Sequence, residues 1–112
     1  MAQQRVGEVA VIFASTRNGT DTVGYDAAAH AMDQLAAAQP GYRGVDSVRA
    51  ANGEGITISY WADEAAAAAW RDHPEHAAIR AAGRAHWYDS YRVTVCTVLR
   101  DYAWNATASR AA

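Results

Sequence analysis

The chain has 112 residues, enough for one compact domain and too few for a separate cofactor-binding module. Twelve acidic residues oppose ten arginines for a net charge of −2, and no basic run is dense enough to follow a phosphate backbone, which argues against nucleic-acid binding. The 51% hydrophobic content is about half alanine, and Leu, Ile, Val and Phe together number 16, so six tyrosines and four tryptophans must supply much of the core.

The absence of lysine, taken with the alanine excess, reads as GC-biased coding in a bacterial genome. The chain contains no run of 18 apolar residues, and its start lacks a charged leader with an apolar segment. The expected location is therefore cytoplasmic, with no membrane partner.

In chain order, residues 6–15 are rich in β-formers, and the polar stretch Thr16–Asp21 breaks the run. A helix is predicted over 22–39, with Ala28, Met32, Leu35 and Ala36 as its apolar stripe and Pro40-Gly41 as its stop. A second strand spans 42–51. The turn Asn52-Gly53-Glu54-Gly55 leads into a third, 56–61. Asp63 is a good N-cap for an alanine-rich helix, and Pro74 interrupts it and opens a second segment running to about His86 or Tyr88. The last strand covers 91–102, with Tyr91, Val93, Val95, Thr97 and Leu99 on one face and Arg92, Thr94, Cys96, Val98 and Arg100 on the other.

The order βαββαβ defines an α+β, ferredoxin-like antiparallel sheet with its helices on one face, spanning residues 6–104 as a single domain with flexible ends at 1–5 and 105–112. The first strand is apolar on both sides, Val9, Val11 and Phe13 against Ala10, Ile12 and Ala14. In the third, Ile56, Ile58 and Tyr60 oppose Thr57, Ser59 and Trp61. A sheet apolar on its uncovered face calls for a partner, and a homodimer joined through the sheet faces is expected. Cys96 is expected to be an inert core thiol, and the sequon Asn105-Ala106-Thr107 a chance match.

Several segments together carry a family resemblance. They are Gln39-Pro40-Gly41-Tyr42-Arg43-Gly44-Val45, Ile56-Thr57-Ile58-Ser59-Tyr60-Trp61, Trp70 followed by His73-Pro74-Glu75-His76, and Gly83-Arg84 with Trp87-Tyr88 before Tyr91. With them, nearly the whole chain resembles the antibiotic biosynthesis monooxygenase superfamily. That resemblance implies a dimeric α+β barrel with a pocket between each subunit's own sheet and helices. It also implies one of three roles: oxidation of polycyclic phenols or quinols by O2 without metal or flavin, haem degradation, or a role without known activity.

Residues 55–91 hold three of the four tryptophans and three of the four histidines, so chemistry is sought there first. Trp61, Trp70, Trp87 and Tyr60 are candidate walls for a flat aromatic substrate, with Ile79 and Ala82 on the apolar helix face above it; core packing competes for each tryptophan. His86, at the edge of the Ala78, Ile79, Ala82 and Ala85 face, is the first candidate for moving a proton, with His73 and Tyr91 beside it. On the same helical wheel His76 and Arg80 point the opposite way, to the surface or a dimer contact.

His73 and His76 lack a second Cys/His pair with zinc-ligand spacing. In haem-degrading relatives an axial histidine lies about ten residues beyond a helix tryptophan and an asparagine projects from the first strand. Here Arg80 stands ten beyond Trp70, and residues 6–15 contain no asparagine. No glycine-rich phosphate loop and no nucleophile elbow occurs. The expected reading is a cofactor-independent monooxygenase of a small aromatic phenol or quinol, without metal. A non-catalytic dimer that binds a small ligand or a partner protein is the alternative, and a haem-binding or haem-degrading protein, with His76 or His86 as ligand in a different register, ranks behind both.

Overall fold

The computed structural model describes residues 4–106, so most of the expected flexible ends, and Thr107 of the sequon, lie outside the described residues. Four strands form one antiparallel sheet in the order β2-β3-β1-β4: β1 (Val9–Arg17), β2 (Tyr42–Arg49), β3 (Glu54–Trp61) and β4 (Tyr88–Thr97). Between them lie α1 (Thr22–Ala37), α2 (Glu64–Asp72), α3 (Pro74–Ala82) and a π turn, Gly83–Trp87. The ferredoxin-like α+β expectation holds, with the second crossover split in three.

Local chemistry explains the boundaries. Asp21 caps α1 by accepting from Gly24 N at 3.0 Å, and Asp63 caps α2 by accepting from Ala66 N at 2.8 Å. His73 ends α2 and caps α3, its Nδ1 accepting from Glu75 N at 3.2 Å, with Pro74 in the first turn where its missing N–H costs nothing. The β2–β3 turn falls at Ala50–Gly53, two residues earlier than expected. Gly53 has φ 94°, and an added Cβ there would lie 2.9 Å from the Arg17 carbonyl, so only glycine serves.

The first strand starts at Val9 rather than residue 6, because Gly7 (φ 88°) and the Glu8 N–H to Arg5 carbonyl bond at 2.9 Å turn the chain beforehand. The last strand is displaced in the same way. β1 offers partners from Tyr88 to Thr97 and, through Glu8 and Gly7, only one residue further at Val98. Leu99 therefore falls outside the strand and is exposed. Arg5, expected to be flexible, is tied down: its N–H donates to Asp101 Oδ2 at 2.9 Å and its guanidinium to Glu8 Oε1 at 3.0 Å.

The register places Val9, Val11 and Phe13 beside Trp61, Ser59 and Thr57 on the helix-facing side, and Ala10, Ile12 and Ala14 beside Tyr60, Ile58 and Ile56 on the open side. Val9 and Trp61 pack against Ala36 of α1 and Ala67 and Trp70 of α2, with Met32 and Leu35 of the expected α1 stripe beside them. Cys96 corrects its expectation. It pairs with Ala10 on the open face, is exposed in the single chain, and donates its thiol to the Ala10 carbonyl at 3.7 Å.

Candidate functional site

The sheet and helices meet closely at two ends and not in the middle. At one end is the tryptophan core just described. At the other, Phe13, Tyr25, Trp87, Tyr88 and Tyr91 make edge and tilted ring contacts between 5.2 and 6.1 Å. Between them the small side chains of Ala28, Ala29 and Ala67 leave a cavity of about 590 Å³, within the size range of small-molecule sites. Val11, Val45, Val93 and Val95 floor it from the sheet, and Trp70, His76, Ile79 and Trp87 are among its helix-side lining.

Trp70, Trp87, Ile79 and Tyr91, four of the expected site residues, line this space. Trp61 stands behind it, with no exposed surface, stacked on Trp70 at 6.0 Å and donating its indole N–H to Ser59 Oγ at 3.0 Å. Tyr60 follows Trp61's neighbour relation in sequence but not in space. Adjacent strand residues face opposite sides, so Tyr60 lies on the open face under the Arg5 guanidinium at 3.8 Å, its hydroxyl donating to Asp46 Oδ2 at 3.1 Å. Burial, then the bond to Asp46, raises its phenol above the ordinary value.

The histidine expectation is reversed in the same geometric sense. His86 is exposed and absent from the lining, while its backbone carbonyl accepts from Asn18 Nδ2 at 2.8 Å and Thr20 Oγ1 at 2.7 Å. His73 is a helix cap, and Ala82 also stands off the lining. His76 and Arg80, expected outside, line the cavity with Arg84.

Two physical causes rotate the face. Alanines bury little area, so the Ala78 and Ala85 stripe exerts a weak pull, and both are exposed. The bulk of Ile79, the His76 ring and the arginine stems then sets the orientation. Next, the π turn inserts i→i+5 spacing, which turns Trp87 inward and His86 outward. Trp87 is locked there by its indole N–H, which donates to Asp21 Oδ2 at 3.2 Å. That bond, followed by the one from Gly24, holds the Asp21 carboxyl below its ordinary value.

His76 is the titratable group in a special state. Its ring stacks on Trp70 at 4.3 Å with a 12° tilt, and its Nδ1 lies 2.9 Å from the Trp70 carbonyl. A carbonyl only accepts, so Nδ1 carries the hydrogen and Nε2 keeps its lone pair. Burial lowers the His76 pKa below 6.5, opposed by the bond to Trp70 and assisted by Arg80 and His73, so the ring is neutral at neutral pH. At the far end Arg84 Nη1 donates to the Tyr91 hydroxyl at 3.0 Å, which leaves the phenolic hydrogen free to donate in turn. Tyr88 nearby is kept protonated, its pKa pushed up by burial and by its bond with Tyr25.

Among the described residues no group of three or more His, Cys, Asp and Glu is placed to hold a metal ion, and no helix is long and apolar enough to cross a membrane.

A ferredoxin-like sheet with a ligand-sized cavity under its helices defines the class of protein. The antibiotic biosynthesis monooxygenase family model matches residues 9–82, and the chain belongs to that family. An uncharacterised protein of Bacillus subtilis (strain 168), YqjZ, is 52% identical over 91 residues, covering 81% of this chain and 79% of its own length. Among solved structures, SnoaB from Streptomyces nogalater, described as a cofactor-independent oxygenase, aligns with a TM-score of 0.73 at 18% identity over 86% of this chain and 97% of its own. Rv0793 from Mycobacterium tuberculosis aligns with a TM-score of 0.74 at 24% identity over 86% and 99%. At these identities both likenesses concern the fold.

Proposed function

We propose that the protein is a cofactor-independent monooxygenase that oxidises a small aromatic phenol, quinol or anthrone-like compound with O2. The observation that carries this reading is the neutral His76, stacked on Trp70 and pinned through Nδ1, on the wall of a cavity lined mainly by apolar side chains. Family membership and the fold shared with a cofactor-independent oxygenase support it.

In this reading Trp70, Trp87 and Ile79 hold the ring system, and His76 Nε2 takes the acidic proton. Tyr91, with its oxygen already accepting from Arg84, offers its hydroxyl hydrogen to a polar group at the opposite end of the ring system. The electron-rich anion passes one electron to O2, and the radical pair collapses into a C–O bond. Return of the proton from His76 gives a hydroperoxide, and loss of water leaves a carbonyl. One oxygen atom stays in the product, the other leaves as water, and the substrate supplies the reducing electrons. Exclusion of bulk water by the aromatic walls keeps the anion reactive.

Oxygen-electrode assays with anthrone and substituted hydroquinones, corrected for autoxidation, test this. Uptake by the wild-type protein that falls about a hundredfold or more in His76→Gln is expected, the size usual for loss of a general base. Equal uptake by both would remove His76 from the reaction. Binding without any uptake would favour a non-catalytic ligand carrier.

A further inference from the structure

The cavity wall carries cations that the oxidation of a neutral phenol does not require. His76, Arg80 and Arg84 follow one another at four-residue spacing and all line the cavity, with the His76 and Arg80 backbones about 6 Å apart along the α3 axis and Arg84 in the π turn that follows. Among the described residues the ion pairs are Arg5–Glu8, Arg43–Glu8 and Arg71–Asp72, and neither Arg80 nor Arg84 belongs to one. Arg80 spends one N–H on the Arg71 carbonyl at 2.8 Å and Arg84 one on the Tyr91 hydroxyl at 3.0 Å. Each guanidinium has five. The carboxylates that share the lining, Asp33 and Glu64, belong to α1 and α2 and pair with neither arginine.

We propose that the substrate carries a carboxylate on its aromatic body, and that Arg80 and Arg84 take that carboxylate while the reacting hydroxyl lies toward His76. A planar guanidinium fork matches a planar carboxylate, and charge-assisted bonds beside an apolar cavity are stronger than on open surface. The chain as a whole is net negative, so the preference for an anion is a local property of this wall. The assignment of the hydroxyl end rests on the oxygenase reading; the carboxylate end does not.

Calorimetric titration with 6-hydroxy-2-naphthoate and with its methyl ester separates charge from shape. The acid is expected to bind about tenfold or more tightly than the ester at low ionic strength, since a bond to a charged partner is typically worth that much, with the preference shrinking as salt is added. Arg80→Gln, which leaves Arg84 alone, should cut the acid-over-ester preference severalfold, and Arg80→Lys, which restores the charge, should recover part of it; circular dichroism checks that the helices are retained. Equal binding of acid and ester, no binding of the acid, or a preference undiminished in Arg80→Gln would overturn the inference. Oxygen uptake with anthrone alongside equal binding would sink this proposal alone, and a charge preference without uptake from any substrate would sink only the oxygenase reading.

Discussion

At the residue scale the site turns on the environment of two side chains. His76 has a pKa below 6.5 because its charged form is desolvated. Above pH 6.5 neither the folded nor the unfolded chain protonates it, so it contributes no pH dependence. As the pH falls through 6.5, the unfolded chain takes up a proton that the folded chain resists, and stability is lost until the folded pKa is reached. Melting curves between pH 7.5 and 5 should therefore show a smaller decline in His76→Gln than in the wild type, and an identical decline would contradict the burial argument. Oxygen uptake should follow the same depressed pKa, flat near neutrality and falling in acid. Trp70 is 9% exposed and packs between Trp61 and His76. Trp70→Ala is expected to cost about 3–5 kcal/mol in chemical denaturation, a large share of the stability of a domain this size.

At the scale of elements, the strands and caps were legible and the helix faces were not. Two-residue alternation leaves only two choices, so Val9, Val11 and Phe13 separate cleanly from Ala10, Ile12 and Ala14, and Asp63 and Pro74 announce their helix ends. The second helical region defeats the wheel, since its alanines carry little hydrophobic weight and its period changes at the π turn. The readable signal was the spacing His76, Ile79-Arg80, Gly83-Arg84, Trp87, which joins Ile79, Trp87 and the long cationic side chains on one side and leaves Glu75 and His86 off it. Gly83 is part of that device: a Cβ there would lie 2.9 Å from the Tyr88 ring. Gly83→Ala should therefore destabilise by about 1–3 kcal/mol and disturb Trp87, measurable by denaturation and by tryptophan fluorescence. Unchanged stability would mean that Tyr88 yields at no cost.

At the scale of the molecule, the open sheet face and the chain beyond it remain uncovered. Val48 and Ile56 on that face, and Leu99, Tyr102 and Trp104 after β4, are 44 to 87% exposed. Apolar surface of this kind is usually covered by a partner, and the homodimer expected from the sequence stays our prediction: sedimentation equilibrium should give twice the 12.0 kDa chain mass at micromolar concentration, and Ile58→Arg on the open face should release monomers. A wild-type monomer would require another cover for that face. The central claim, however, is chemical, and isotope labelling tests it most directly. Anthrone turned over by metal-free protein under 18O2 is predicted to give a quinone containing one 18O atom, formed far more slowly by His76→Gln. A product whose new oxygen comes from water, or formation no faster than autoxidation with any substrate that binds the cavity, would contradict the account.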